Sequence, residues 1–136
     1  EQGDHLNAAQ CAREVLNRQP DAIDSYVILS RTVRTNAEKI ALLREGARIG
    51  DKVFYKEVLA APNDDFRFWG QMATRPYMRA LQSLSLALVA DPRDGSLDEA
   101  VAIWRKLYAI CPNDNLGVRF LIAEYEETGT VELDDD

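Results

Sequence analysis

The feature that most limits the fold of this chain is the spacing of its apolar residues, which recur every three or four positions along almost the whole sequence. This spacing places them on one face of an α-helix, whereas a half-buried strand would need strict alternation. Clear examples are Leu6, Ala9, Val15 and Leu16, followed by Tyr26, Leu29 and Val33. The sequence therefore predicts an all-α fold.

Local signals divide the chain into about seven helices. The strongest are two S/T-x-x-E capping boxes and two glycines at expected helix ends: Thr35 with Glu38, Ser96 with Glu99, Gly50 and Gly129. The predicted helices cover residues 4–18, 21–34, 36–49, 51–61, 75–90, 97–110 and 114–128. Residues 62–74 receive no assignment.

Composition and charge exclude several classes of protein. The chain has 136 residues, and 46% of them are hydrophobic, which is enough for one continuous core. Its formal net charge is -7, which disfavours nucleic acid as a partner because that binding depends on clustered cations. No apolar run approaches the length of a membrane span, and the first residues do not resemble a secretory signal. We expect a soluble cytoplasmic protein with two free thiols, Cys11 and Cys111.

Two kinds of segment recur along the chain. One is Ala8-x3-Ala12 with Pro20, and again Ala100-x3-Trp104 with Pro112. The other is Tyr26-x2-Leu29-Ser30-x2-Val33, Leu81-x2-Leu84-Ser85-x2-Leu88 and Val118-x2-Leu121-Ile122-x2-Tyr125. These segments are similar to the second and first helices of the tetratricopeptide repeat, which follow the patterns A-x3-F…P and W-x2-L-G-x2-Y. The chain resembles that family over nearly its whole length.

The resemblance implies an α-solenoid of antiparallel helix pairs with an inserted helix and loop, folded as a single domain over 1–136. Pro20 and Pro112 are 92 residues apart, and removing the 24 residues of 51–74 leaves 68, or two periods of about 34. The predicted units are a half-repeat 4–20, a repeat 21–50, an insert 51–74, a repeat 75–112, a half-repeat 113–129 and an acidic tail 130–136. The stretches FWG (68–70), TRPYMRA (74–80) and PNDN-x-GVR (112–119) further resemble an uncharacterised group of such proteins.

In the family, the first helices line a concave groove, and the outward side chains along them contact the ligand. The corresponding positions here are Asp24, Val27, Arg31, Arg34, Arg79, Gln82, Leu86 and Arg119, together with Leu116 and Ala123. Four of these residues are arginines, which indicates an acidic peptide or a terminal carboxylate as the ligand. The alternative is that the arginines only pair with neighbouring carboxylates on a solvated face.

Aromatic residues concentrate between positions 66 and 77, where helical spacing is absent. They are Phe66, Phe68, Trp69 and Tyr77. Large aromatic side chains in a loop become buried only where they fill a space. These four residues either have a structural role, sealing the end of the groove or packing under the extra helix, or anchor a partner. The sequence leaves both interpretations open.

The sequence offers no catalytic constellation, metal site or cofactor motif. His5 is the single histidine, and the paired carboxylates fall in solvated turns or helix ends. The leading interpretation is a non-catalytic scaffold that binds a protein or peptide partner in the groove. The alternatives are a structural or oligomerisation module acting through its helix ends and insert, and a passive arm of a larger enzyme.

The two terminal half-repeats predict one further contact. The first helix is of the second type and the last is of the first type, so each is expected to expose an apolar face. Because these two types normally pack on each other, head-to-tail association between copies is expected.

Overall fold

The computed structural model of the chain describes residues 2–60, 72–112 and 116–133, with side chains from residue 7 onward. Within these ranges the fold contains seven α-helices, one short 3-10 helix over Met72–Thr74, and no strand. The helices are α1 (Gln2–Arg18), α2 (Ile23–Ser30), α3 (Asn36–Val53), α4 (Tyr55–Ala60), α5 (Arg75–Val89), α6 (Ser96–Ile110) and α7 (Val118–Thr128). The predicted all-α class and the number of helices are confirmed.

Helix α5 lies at the centre of the packing. It contacts α2, α3 and α6, while α1 packs on α2, α3 packs on α2, and α7 packs on α6. Because α5 has neighbours on several sides, most of its surface must be apolar or small. Its buried residues are Tyr77, Met78, Ala80, Leu81, Leu84, Ser85, Ala87 and Leu88.

Three ion pairs define the alignment of the helices. They are Asp24–Arg79 between α2 and α5, and Arg44–Glu99 and Asp51–Lys106 between α3 and α6. Each pair joins residues 55 positions apart. Arg44 and Asp51 are about two helical turns apart, and so are Glu99 and Lys106. Helices α3 and α6 therefore run in the same direction.

A hydrogen bond repeated within two helices supports the same alignment. The Ser30 hydroxyl donates to the carbonyl of Val27 at 2.6 Å, and the Ser85 hydroxyl donates to the carbonyl of Gln82 at 2.6 Å. Ser30 and Ser85 are also 55 positions apart. The pairs α2–α3 and α5–α6 are thus two versions of one arrangement, and the fold is all-α and repeat-like.

The helix starts follow one of the two predicted capping boxes. The Thr35 side chain accepts from the Glu38 amide at 3.1 Å, as predicted. The box at Ser96 is wrong, because Gly95 occupies the N-cap with φ 88°. The Ser96 hydroxyl instead donates to Asp91 at 2.8 Å.

Two helix ends also differ from the prediction. Helix α2 ends at Ser30, so Arg34 lies in the connection to α3. Helix α3 does not stop at Gly50 but continues to Val53. A Cβ atom on Gly50 would lie 2.7 Å from Cγ and from Cε1 of the Tyr77 ring, so this glycine serves close packing between α3 and α5. Residues 51–53 therefore belong to α3 and not to an insert.

The segment after α7 is partly folded onto the molecule. Gly129 ends α7 in the left-handed conformation with φ 76°, as predicted. In the predicted acidic tail, Val131 is buried and Leu133 packs against the main core. The Glu132 amide donates to the Glu124 carboxylate at 2.7 Å. Residues 134–136 lie outside the described ranges.

Cys11 and Cys111 are not joined by a disulfide; Cys11 is exposed and Cys111 is buried. In the described ranges, each helix is too short or too polar to cross a membrane.

Candidate functional site

The predicted groove residues of α2 and α5 lie along two helices that run side by side. Asp24 and Arg31 are seven positions apart, and so are Arg79 and Leu86. Arg79 Nη1 lies 3.2 Å from Asp24 Oδ2, and these side chains are 49% and 48% exposed. At the other end of the surface, Arg31 and Leu86 line one cavity. We name the surface between these two ends the α2–α5 groove.

A cavity of about 280 Å³ opens at one end of the α2–α5 groove, where α2 ends and α3 begins. Its polar lining consists of Ser30, Arg31, Asn36, Lys39 and Ser83, and its apolar lining includes Leu43, Leu86 and Ala87. None of the described residues that line it is Asp or Glu, although the chain has 23 of them. We name it the cationic cavity.

The charges in the cationic cavity are not neutralised from within the described ranges. There, neither Arg31 nor Lys39 forms an ion pair with a carboxylate. Asn36 is held in place because its Nδ2 donates to the Ala87 carbonyl at 2.9 Å. A fixed polar wall with two unneutralised cations is suited to an anionic group, since charge-assisted hydrogen bonds to carboxylates are among the strongest available to a protein.

The structure separates several of the other predicted groove residues. Val27 is 3% exposed and belongs to the main core, so its prediction as a ligand contact is wrong. The reason is that its side chain packs in a cluster with residues of α3, α5 and α6. Gln82 is half-buried, and its Oε1 accepts no hydrogen bond from the described residues. Arg34 is exposed and does not line the cationic cavity.

The predicted residues of α7 lie at a different surface. Arg119 and Ala123 line a cavity between α6 and α7. The guanidinium of Arg119 lies 4.9 Å from the centre of the Phe120 ring, a cation–π distance. Leu116 packs against the main core. These three residues are therefore not part of the α2–α5 groove.

Tyr77 is wrong as an anchor for a partner, because its side chain is completely buried between α3 and α5. Its ring stacks on Phe54 at 5.7 Å, and its hydroxyl donates to Asp51. Burial raises the pKa of Tyr77, and the hydrogen bond to Asp51 raises it further. Lys106 Nζ lies 5.4 Å from the ring centre and 2.6 Å from Asp51 Oδ1. This polar cluster joins three helices, and its tyrosine is inaccessible to a substrate.

The remaining predicted anchors, Phe66, Phe68 and Trp69, lie outside the described residues.

A second groove, of about 490 Å³, lies between α3 and α6. Ala47, Leu81, Leu84 and Ile103 contribute apolar surface to it. Its charged residues are largely paired across it, through Arg44–Glu99 and Asp51–Lys106. The hydrogen bond to Glu99 is the main cause of a raised pKa at Arg44. This groove, named the α3–α6 groove, therefore offers a ligand fewer unpaired charges than the cationic cavity.

The described residues show little that could carry out chemistry. They contain no group of three or more His, Cys, Asp or Glu side chains able to hold a metal ion. The accessible cations and hydroxyls of the cationic cavity have no neighbouring carboxylate to act as a general base. The arrangement is suited to binding an anion.

Four polar residues of the cationic cavity were missed from the sequence: Ser30, Asn36, Lys39 and Ser83. Asn36 and Lys39 lie on the first turns of α3, a helix that was not expected to contribute to the groove. The signal that would have found them is the short connection from α2 to α3, which brings Lys39 near Arg31 eight positions earlier.

No protein family, curated protein or solved structure matches this chain. The resemblance to tetratricopeptide repeats therefore rests on the residues of the chain itself.

Proposed function

We propose that this chain is a non-catalytic binding module of the tetratricopeptide type, a solenoid whose α2–α5 groove holds a peptide segment with an acidic residue or terminal carboxylate in the cationic cavity. The observation that carries the proposal is the pair Arg31 and Lys39, set without a carboxylate in a cavity of a chain with net charge -7.

Support for the groove also comes from its length of about two helical turns and from the position of its other charges. Asp24 and Arg79 lie two turns from the cationic cavity, one on each side of the groove. Their ion pair is about half exposed, so it stabilises the fold little and remains available to a polar ligand. The groove therefore provides a neutral polar end and a cationic end. An extended peptide with its acidic group at one end fits this order.

The proposal also places the module in the cytoplasm. Cys11 and Cys111 are not joined by a disulfide, which supports this location, because thiols in oxidising compartments usually form disulfides.

A library of random peptides with free C-termini, displayed on phage and selected on the immobilised chain, tests the proposal. We expect enrichment of Asp, Glu or a carboxylate at a fixed place in the bound peptides. Replacing both cations, with Arg31→Glu and Lys39→Glu, should weaken binding of a selected peptide at least tenfold, or about 1.4 kcal/mol. The readout is fluorescence anisotropy of that peptide, synthesised with a label.

The control variant carries Arg13→Glu and Lys56→Glu, which change the net charge equally on exposed positions of α1 and α4. It should bind the peptide nearly as well as the unmodified chain. Equal weakening in both variants would mean that only overall charge matters, and selected peptides without acidic groups would likewise overturn the proposal.

An oligomerisation module is a second candidate, favoured by the exposed aromatic residues of α6 and α7. Tyr108 is 42% exposed and Phe120 is 67% exposed. A passive arm of a larger enzyme has no specific observation in its favour.

A further inference from the structure

Helices α6 and α7 form an open face with a cavity of about 450 Å³. It is lined by Arg105, Tyr108 and Ala109 of α6 and by Arg119, Ile122, Ala123 and Glu126 of α7. Within the described part of the chain, no helix packs on this face. We name it the α6–α7 seat.

The repeat relates this face to another that is occupied. Shifting α3 by 61 positions onto α6 aligns Ile40 with Val101 and Leu43 with Trp104, and all four are buried. The same shift aligns Arg44 with Arg105. Helices α3 and α6 therefore stand in equivalent places.

Helices α5 and α7 are related in the same way. A shift of 37 positions aligns Leu81 with Val118, both buried, and Ser85 with Ile122. Helix α6 contacts α5 closely and lies beside α3, joined to it by the Arg44–Glu99 and Asp51–Lys106 ion pairs. The α6–α7 seat is therefore equivalent to the surface of α3 and α5 on which α6 packs, one repeat further along the chain. A helix that resembles α6 is expected to fit it.

Helix α1 is such a helix. Shifting it by the 92 positions that separate Pro20 from Pro112 aligns Ala8 with Ala100, Cys11 with Ile103, and Val15 with Leu107. Ala100 and Leu107 are buried, but Ala8 and Cys11 are exposed and Val15 is 39% exposed. The equivalents of Val101 and Trp104, which are Ala9 and Ala12, are buried against α2. The edge of α1 formed by Ala8, Cys11 and Val15 is therefore the part of this stripe that is uncovered.

The polar residues of the two surfaces are compatible in the same register. Asn7 takes the place of Glu99 and would face Arg105, whose guanidinium can donate to the amide oxygen. Trp104 of α6 contacts Ser85 of α5. The residue of α7 equivalent to Ser85 is Ile122, so this part of the seat is apolar. The α1 residue equivalent to Trp104 is Ala12, which is already buried against α2, so α1 brings no polar group that would lack a hydrogen bond to this part of the seat.

We infer that the α6–α7 seat binds α1 of a second copy of this chain, in the register in which α6 lies against α3 and α5. The contact is heterologous, because the two surfaces differ, and each copy can both give α1 and receive it. One helix covers less area than a standard stable interface of about 1,600 Å². The association is therefore weak and forms at high protein concentration.

Disulfide crosslinking tests the register directly. Where α6 lies beside α3, Ile103 of α6 and Arg48 of α3 both line the α3–α6 groove. Their equivalents in the proposed contact are Cys11 of α1 and Ala109 of α6. An Ala109→Cys variant, oxidised with copper phenanthroline, should give disulfide-linked dimers and longer oligomers. Mass spectrometry should identify the bond as Cys11 to residue 109 of another copy.

The matched control is Ala37→Cys, an equally small change at an exposed position of α3. It should crosslink at least about tenfold more slowly. Adding Val15→Glu to Ala109→Cys should slow crosslinking by a similar factor, because docking would bury a carboxylate. Circular dichroism verifies that this exposed substitution leaves the fold intact. Equal rates for the two cysteine variants, no effect of Val15→Glu, or bonds that omit Cys11 would overturn the inference.

Discussion

Two equivalent faces of this molecule differ in how they are covered: α6 packs on the face of α3 and α5, whereas no helix of the described residues packs on the α6–α7 seat. The covered face holds its helix with a buried hydrogen bond, from Trp104 Nε1 to the Ser85 hydroxyl at 2.9 Å. The open seat has Ile122 at the position of Ser85. A polar side chain suits a face that always has the same occupant, because that occupant supplies its hydrogen bond. A buried polar group without a hydrogen bond would cost free energy.

The charges differ in the same way. Arg44 on the covered face makes a bidentate ion pair with Glu99 of α6. Its equivalent, Arg105, lies 3.5 Å from Glu126 of the neighbouring α7, and both side chains are more than half exposed. Polar bonds to α6 therefore fix the covered face, whereas Arg105 of the seat is paired within α6 and α7 and Ile122 adds apolar surface.

The largest effect should come from the glycines of α3, which test how closely the covered face is packed. A Cβ atom on Gly50 would overlap the Tyr77 ring, whereas one on Gly46 would meet its nearest atoms at 3.4 to 3.6 Å, an ordinary contact. Gly50→Ala should destabilise the fold by about 3 kcal/mol through overpacking. Gly46→Ala should stabilise it by up to about 1 kcal/mol, because alanine favours the helix. Urea unfolding curves provide both values.

If Gly50→Ala were as well tolerated as Gly46→Ala, Gly50 would not be required for the close approach of α3 and α5. The presence of a glycine at this position inside α3 would then need another explanation.

Trp104 tests the buried hydrogen bond of the covered face. Trp104→Phe removes the Nε1 donor and leaves a smaller ring, which should cost about 2 kcal/mol. In a Ser85→Ala background the hydrogen bond is already absent, so the same substitution should cost only about 1 kcal/mol. The difference, a coupling of about 1 kcal/mol, is obtained from four chemical-denaturation curves. An equal cost in both backgrounds would show that Trp104 acts through its volume alone.

The features that could be predicted from the sequence are those set by nearby residues. Helical spacing, the Thr35 cap and the left-handed Gly129 follow from positions within one or two turns.

The features that could not be predicted depend on residues far along the chain. Gly50 has the local context of a helix end, but its role is set by Tyr77, 27 positions later. Val27 occupies a position of its helix that was predicted to point outward, but its side chain is buried in the main core by residues far along the chain. In the candidate site, Arg31 and Leu86 were predicted, whereas Lys39 was not, because its contribution arises from the turn between α2 and α3.

The smallest effect concerns the two equivalent arginines. Arg44→Gln removes a bidentate ion pair whose side chains are 47% and 38% exposed, so the loss should be at most about 1 kcal/mol. Arg105→Gln removes a longer and more exposed pair and should change stability by about 0.3 kcal/mol or less. Because salt screens exposed charges, the difference between the two variants should shrink toward zero in about 1 M NaCl. Thermal unfolding at low and high salt measures it. A larger loss at Arg105 would reverse the comparison, since it would mean that charge, and not apolar contact, organises the open seat.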